Sequence, residues 1–274
     1  MFKVRCPAKV NTYLNILHKR DDNYHEISSN LQLINLFDEI SFERSKEMSL
    51  ICNEKSIENE NLVIDSIKWF NKKYTKNHRF RINLHKNIPL QSGLGGGSSN
   101  AGYTLVFLCI INEIPIESLN LNEISTAIGA DVPFFINSKS CNISGIGEKI
   151  GMDASSNDHY LLICPNIKIK TFDIFNSADL EPKYRIDNQT NDLLIPLLSE
   201  NKEFKKIYLD LEKTVKHSER RLKLSGSGSS VFIINPSEEE KLIFKQKKYD
   251  NFRIFNVKGL EYYDFVTDWG VAKW

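Results

Sequence analysis

Alternation is the first pattern along the chain. Val10, Thr12, Leu14 and Ile16 occupy every second position, which predicts a strand with Lys9, Asn11 and Tyr13 on its other face. Residues 31–43 (LQLINLFDEISFE) read as strands joined by a turn, and Phe80, Ile82 and Leu84 alternate as a further strand. Over 61–74 the period changes: Leu62, Ile64, Ile67 and Phe70 suit a helix. A second helix is predicted from about Ser98 to Asn112. Ala101, Leu105, Val106, Phe107, Leu108, Ile110 and Ile111 make it apolar nearly all round, so it is expected to be buried on most sides.

Later in the chain, His159–Cys164, Val231–Ile234 and Phe252–Val257 read as strands, with helical patterns at 191–199, 203–218 and 237–248. The polar, turn-rich stretch 153–158 marks an expected boundary between a first domain, 1–153, and a second, 154–274. The second is expected to be α+β, with helices over one face of a mostly antiparallel sheet. A chain of 274 residues suits two such units and buries enough surface to need no disulfide or metal for its core.

Composition narrows the partners. Basic and acidic residues number 36 and 35, a balance that argues against nucleic acid as the main partner. The basic stretch Lys213–Lys223 is interleaved with apolar residues at helical spacing and reads as a solvated helix face. The longest apolar run, near Val106–Ile111, is far too short to cross a bilayer, and the first residues show no apolar leader. Five cysteines without a C-x-x-C pair fit free thiols in a reducing compartment. The expectation is a soluble cytoplasmic protein.

The most specific local feature is Pro89-Leu90-Gln91-Ser92-Gly93-Leu94-Gly95-Gly96-Gly97-Ser98-Ser99, set between a strand and an apolar helix. Its glycines let the backbone approach a ligand closely, and Ser98 and Ser99 are N-cap candidates. The helix behind it presents unpaired N–H groups and a positive dipole end, a site suited to phosphate. The loop lacks the lysine of a P-loop and the spacing of a dinucleotide fingerprint. A flexible linker has the same composition, but linkers rarely sit tightly between a strand and a buried helix. A second loop, Ser225-Gly226-Ser227-Gly228-Ser229-Ser230, reads alone as a tight turn and beside the first as a second wall of an anion cradle.

Two charges stand out. Lys9 by itself reads as a solvated strand residue. Asp131 is the single charge of Ile128-Gly129-Ala130-Asp131-Val132-Pro133-Phe134-Phe135-Ile136, bracketed by Gly129 and Pro133. It reads either as a helix-terminal hydrogen-bond acceptor or, if partly buried, as a carboxylate that needs a cation such as Lys9.

In order along the chain, Pro7-Ala8-Lys9-Val10-Asn11, Pro89–Ser99 and Leu224–Phe232 resemble the superfamily named for galactose, homoserine, mevalonate and phosphomevalonate kinases. Within it, the stretch from Pro7 to Ile16, then Asp22-Asn23-Tyr24-His25-Glu26 and Gly129–Phe135, is similar to the branch whose acceptor is a cytidine-diphosphate-linked methylerythritol. The resemblance extends to about residue 260. It implies an α+β, two-domain small-molecule kinase fold. The first domain would be ribosomal-protein S5-like and bind ATP. The second would be ferredoxin-like and contribute to the substrate site.

The same resemblance implies ATP-dependent phosphorylation of the acceptor's 2-hydroxyl, with Lys9 and Asp131 as the catalytic pair. It places Asn61, Leu62, Lys86 and the loop Pro89, Leu90, Gln91, Ser92, Gly93, Leu94, Gly95, Gly96, Gly97, Ser98 and Ser99 around ATP. It places Asn11, Tyr24, His25, Thr171, Phe175, Gly226, Ser227 and Gly228 around the acceptor, with Tyr24, His25 and Phe175 holding cytosine. Mg²⁺ is expected on the phosphates, near a hydroxyl of Ser98 or Ser99, and no protein residue is assigned as a metal ligand. A monomer or weak homodimer is expected. Two departures stand out: Asn23 where the family usually has glycine, and Ser227 where it commonly has threonine. Asn tolerates the left-handed backbone better than most residues, so the turn can survive.

Overall fold

The computed structural model describes residues 1–177, 190–215, 222–246 and 252–265. Its spine is an antiparallel pair, β1 (Phe2–Lys19) and β2 (His25–Arg44). There follow β3 (Ser49–Cys52), α1 (Leu62–Lys73), β4 (Phe80–His85), α2 (Gly96–Ile111), α3 (Leu121–Ala127), α4 (Val132–Asn137), β5 (Cys141–Gly145) and β6 (Lys149–Asp153). The later elements are β7 (His159–Pro165), α5 (Thr171–Ser177), α6 (Leu194–Glu200), α7 (Lys202–Thr214), β8 (Lys223–Leu224), β9 (Val231–Ile234), α8 (Glu238–Gln246) and β10 (Phe252–Leu260).

The β1–β2 pair corrects one expectation. Residues 31–43 form no turn; they lie inside the single strand β2. The register jumps from Ala8↔Ile34 to Pro7↔Phe37, so the polar break at Asn35 is taken up as a bulge and the strand continues. Length lets β2 organise the sheet. It pairs with β5 through Ile27–Leu31, with β10 through Leu33 and Ile34, and with β4 through Glu39–Arg44. Among the described residues the sheet runs β3-β4-β2-β10-β7-β9-β8, crossing position 153 without interruption.

Strand period two divides the core. On β7, Leu161 and Ile163 join Leu197, Phe204, Leu211 and Phe244 of the later helices. Tyr160, Leu162 and Cys164 point the other way, into a second cluster with Ala8, Val10, Ile34, Ile88 and Leu94. On the first half of the chain, α1 and α2 cover the sheet, with Phe42 stacked on Phe107 at a centroid separation of 4.4 Å. The α1 helix forms where its pattern predicts, but its buried face is Val63, Ile67 and Phe70, while Leu62 and Ile64 are half-buried; Asn61 caps Val63 N, and Lys72 and Lys73 sit at the negative end of the dipole.

The α2 helix begins at Gly96, not at Ser98, and its N-cap is Gly95 in the left-handed conformation (φ 70°). Neither Ser98 nor Ser99 is the cap. Two glycines in the first turn are unfavourable by propensity, and the packing of the buried helix overrides that preference. Helix and strand limits elsewhere agree with the sequence reading within a few residues. The ends of the expected helices at 216–218 and 247–248, the middle of the basic stretch at 216–221, and the tail at 266–274 lie outside the described residues. No described helix is long and apolar enough to cross a membrane.

Candidate active site

The glycine loop is fixed from below and from the side. Leu94 is fully buried in the second core cluster, and its carbonyl accepts from Lys9 N at 3.0 Å. Gly93 has φ 76°, and a Cβ there would lie 2.1 Å from the Ser225 carbonyl oxygen. The two glycine loops therefore touch through their backbones. Ser230 N donates to Ser92 O at 3.0 Å, and the Ser225 hydroxyl donates to Gly93 O at 3.0 Å. The second loop is held from its far side by Asn191, whose amide donates to Leu224 O and Gly226 O. The expected pairing of the loops is thus a direct contact.

Between them lies a cavity of about 750 Å³. Pro89, Leu90, Gln91, Ser92, Gly93, Gly95, Gly96, Gly97 and Ser98 line it, with Asn61, Leu62 and Lys86. Gly95 has no side chain with which to cap α2, so the first-turn N–H groups keep their donor capacity at the cavity wall. A cradle of glycines at a positive helix end fits triphosphate oxygens. Two expected contacts lie elsewhere. Leu94 is a core anchor. Ser99 is fully buried, donates to Pro7 O at 2.6 Å and does not line the cavity, whereas Ser98 does. Among the described residues no group of three or more metal-binding side chains occurs.

Lys9 is not a solvated strand residue. It is 3% exposed, and its Nζ donates to Asn11 Oδ1 at 2.5 Å and Gly93 O at 3.0 Å. Its third neighbour is Asp131 Oδ2 at 3.5 Å. Asp131 is the N-cap of α4, but its side chain makes no capping hydrogen bond. The carboxylate therefore faces the lysine and the cavity, to which both residues contribute.

A second lysine–aspartate pair was not anticipated. Asp38, fully buried on β2, accepts from Lys86 Nζ, Asn87 N, Ile88 N and the Asn100 amide. Lys86 Nζ also donates to Asn100 Oδ1 at 2.9 Å and would be 3.0 Å from a Cβ on Gly96. Lys86 thus reaches the cavity floor with its charge already engaged.

On the acceptor side, His25 and Phe175 come together, ring centroids 5.4 Å apart. His25 is 7% exposed, and burial, with Lys19 as a smaller contribution, pushes its pKa below the usual imidazole value. Tyr24 is 51% exposed on the hairpin turn, and neither it nor His25 is among the residues that line the cavity. Asn23 adopts φ 65°, so the left-handed turn survives without glycine. Thr171 Oγ1 lies 2.8 Å from Ser227 Oγ, and both line the cavity with Asn11, Phe175 and Gly226. Gly228 faces inward, where a Cβ would meet Leu197 at 2.8 Å. Asp38, Asn191 and the cavity residue Lys168 were not singled out by sequence. Asp38 lies within 31–43, read as strands joined by a turn, and the other two belong to no motif.

Residues 61–139 match the family model for the GHMP kinases N terminal domain. The 4-diphosphocytidyl-2-C-methyl-D-erythritol kinase of Prochlorococcus marinus subsp. pastoris is 33% identical, over 94% of this chain and 92% of its own. The enzyme of the same name from Acinetobacter baylyi is 30% identical, over 98% and 100%. That from Caldanaerobacter subterraneus is 35% identical over a shorter stretch, 65% of this chain and 62% of its own. Among solved structures, a 4-(cytidine 5'-diphospho)-2C-methyl-D-erythritol kinase superposes with a TM-score of 0.76 at 23% identity, covering 94% of this chain and 98% of that one. A mevalonate kinase superposes at 0.58 with 20% identity, over 94% and 98%. These structures share the fold, and the relatives matched over nearly their whole length fix the branch. The chain belongs to the 4-diphosphocytidyl-2-C-methyl-D-erythritol kinase family of GHMP kinases.

Proposed function

We propose that this chain transfers the γ-phosphoryl group of ATP to 4-diphosphocytidyl-2-C-methyl-D-erythritol, at its 2-hydroxyl, in the non-mevalonate route to isoprenoid precursors. The observation that carries the proposal is the meeting of Lys9 and Asp131 at 3.5 Å beside a glycine-walled cavity. Phosphoryl transfer asks a protein for positioning and charge stabilisation more than for covalent chemistry.

In this reading the α2 N–H groups and the loop Gly93–Ser98 hold the phosphates, and Asn61 and Leu62 flank the adenosine. The acceptor hydroxyl lies against Asp131, which takes its proton as the oxygen bonds to the γ-phosphorus and ADP departs. Lys9 is fixed by Asn11 and Gly93 O, and so orients that hydroxyl and offsets the charge that develops on it. Mg²⁺ would supply charge neutralisation on the phosphates, with the Ser98 hydroxyl as the nearest protein group suited to it. His25 and Phe175 offer an aromatic face to cytosine, a stack worth about 1–3 kcal/mol, and Thr171 and Ser227 offer hydroxyls. The division at 153/154 gives the first unit the cradle and the catalytic pair, and the second unit the outer loop and Phe175. The monomer or weak homodimer belongs to the same proposal, as does a cytoplasmic location.

The test is ATP turnover with this acceptor against homoserine and mevalonate. Turnover only with the cytidine-linked acceptor, abolished by Lys9→Ala, is the expected result. Equal use of homoserine or mevalonate would reject the acceptor assignment.

A further inference from the structure

Charge in the cavity is unevenly spent. Five charged residues line it: Lys9, Glu60, Lys86, Asp131 and Lys168. Lys9 is engaged by Asp131, and Lys86 by the buried carboxylate of Asp38. Glu60 precedes the α1 cap, on the side of Asn61 and Leu62. That leaves Lys168. It is exposed, and among the described residues it has no ion-pair or hydrogen-bond partner.

Its position fixes which ligand it would meet. Lys168 lies three residues before Thr171 and seven before Phe175, on the segment that leads from β7 into α5. The intervening Ile169 is buried and would be 3.4 Å from a Cβ on Gly228, so this segment is pinned against the second glycine loop. Thr171, Phe175, Gly226 and Ser227, its companions on this wall, are the acceptor-side residues. The donor's phosphates are assigned above to the α2 terminus. An acceptor that carries a diphosphate brings negative charge to a wall where one cation has no counter-ion among the described residues.

We propose that Lys168 is a specificity-determining residue whose ammonium meets the diphosphate of the acceptor. It makes the site prefer a nucleoside diphosphate conjugate over an acceptor without that charge. This rests on the acceptor assignment above. An exposed ammonium is strongly screened, so its contribution is a graded preference that weakens with salt.

The test is calorimetric binding of CDP, cytidine and ADP to the wild-type protein and to Lys168→Gln and Lys168→Arg. Lys168→Gln should weaken CDP about tenfold, or about 1.4 kcal/mol, with cytidine and ADP unchanged. Lys168→Arg should restore most of the loss, and the wild-type preference for CDP over cytidine should shrink as salt rises. An unchanged CDP affinity in Lys168→Gln overturns the proposal. An equal loss for ADP also overturns it, by placing the lysine on the donor. If the wild-type protein binds neither CDP nor cytidine, the acceptor assignment and this inference fail together. If it binds both and Lys168→Gln binds CDP as well as wild type, only this inference fails.

Discussion

Two lysine–aspartate pairs border one cavity, and they differ in what surrounds the carboxylate. Asp38 is fully buried and accepts from four donors: Lys86 Nζ, Asn87 N, Ile88 N and the Asn100 amide. Its acceptor capacity is spent. Asp131 has a side chain 33% exposed, and among the described residues Lys9 at 3.5 Å is its one charged partner. Its remaining lone pairs are open to the cavity. The same two residue types therefore do opposite work. A saturated carboxylate ties β2, the end of β4 and the start of α2 together beneath the phosphate loop. An unsaturated one is available to take a proton.

The comparison breaks most readily at the buried pair. Asp38→Asn keeps the shape but leaves Lys86 as a buried charge without its counter-ion. A loss of about 3–5 kcal/mol in unfolding free energy is expected, read by urea denaturation. A loss below about 1 kcal/mol, the range of exposed pairs, would show that the buried pair is not the fastener described.

A smaller effect comes from His25, a buried titratable group whose pKa is lowered by burial first and by Lys19 second. Just below the usual imidazole value of 6.5 the unfolded chain binds more protons at this site than the folded one. Stability from His25 is therefore complete above about pH 6.5 and is lost as pH falls below it. Thermal melts of wild type and His25→Phe between pH 5 and 8 should diverge in that sense, with the variant's curve flatter below pH 6.5. Parallel curves would mean that the ring is not desolvated.

This contrast also marks how much was legible from sequence. Lys9 and Asp131 could be found because each is anomalous in its segment: Asp131 is a lone charge in an apolar run, and the Lys9 segment belongs to an ordered motif set. Asp38 is not anomalous. In Leu36-Phe37-Asp38-Glu39 it looks like any solvent-facing strand position, and a bulge at Asn35 decides which face it takes. That register is settled by the partner strand, not by local pattern. The β5–β6 hairpin went unseen for a related reason: Asn142, Ser144 and Gly145 carry little strand signal, and β6 is mostly exposed. The α2 helix was found from its apolar length, while its start was misplaced by two residues because glycines there obey tertiary contacts. The exposure of Tyr24 was not legible either. The turn puts its ring in solvent, while the neighbouring His25 is buried.

The central claim is that Asp131, unlike Asp38, is there for the reaction. Single-turnover phosphorylation of the cytidine-linked acceptor by Asp131→Asn, with urea denaturation of the same preparation, tests it directly. The account predicts a smaller loss of unfolding free energy than Asp38→Asn shows, because Asp131 is partly exposed and Lys9 keeps Asn11 Oδ1 and Gly93 O as acceptors, and a chemical rate lower by about 10²-fold or more. A folded variant that transfers phosphate at nearly the wild-type rate would contradict it.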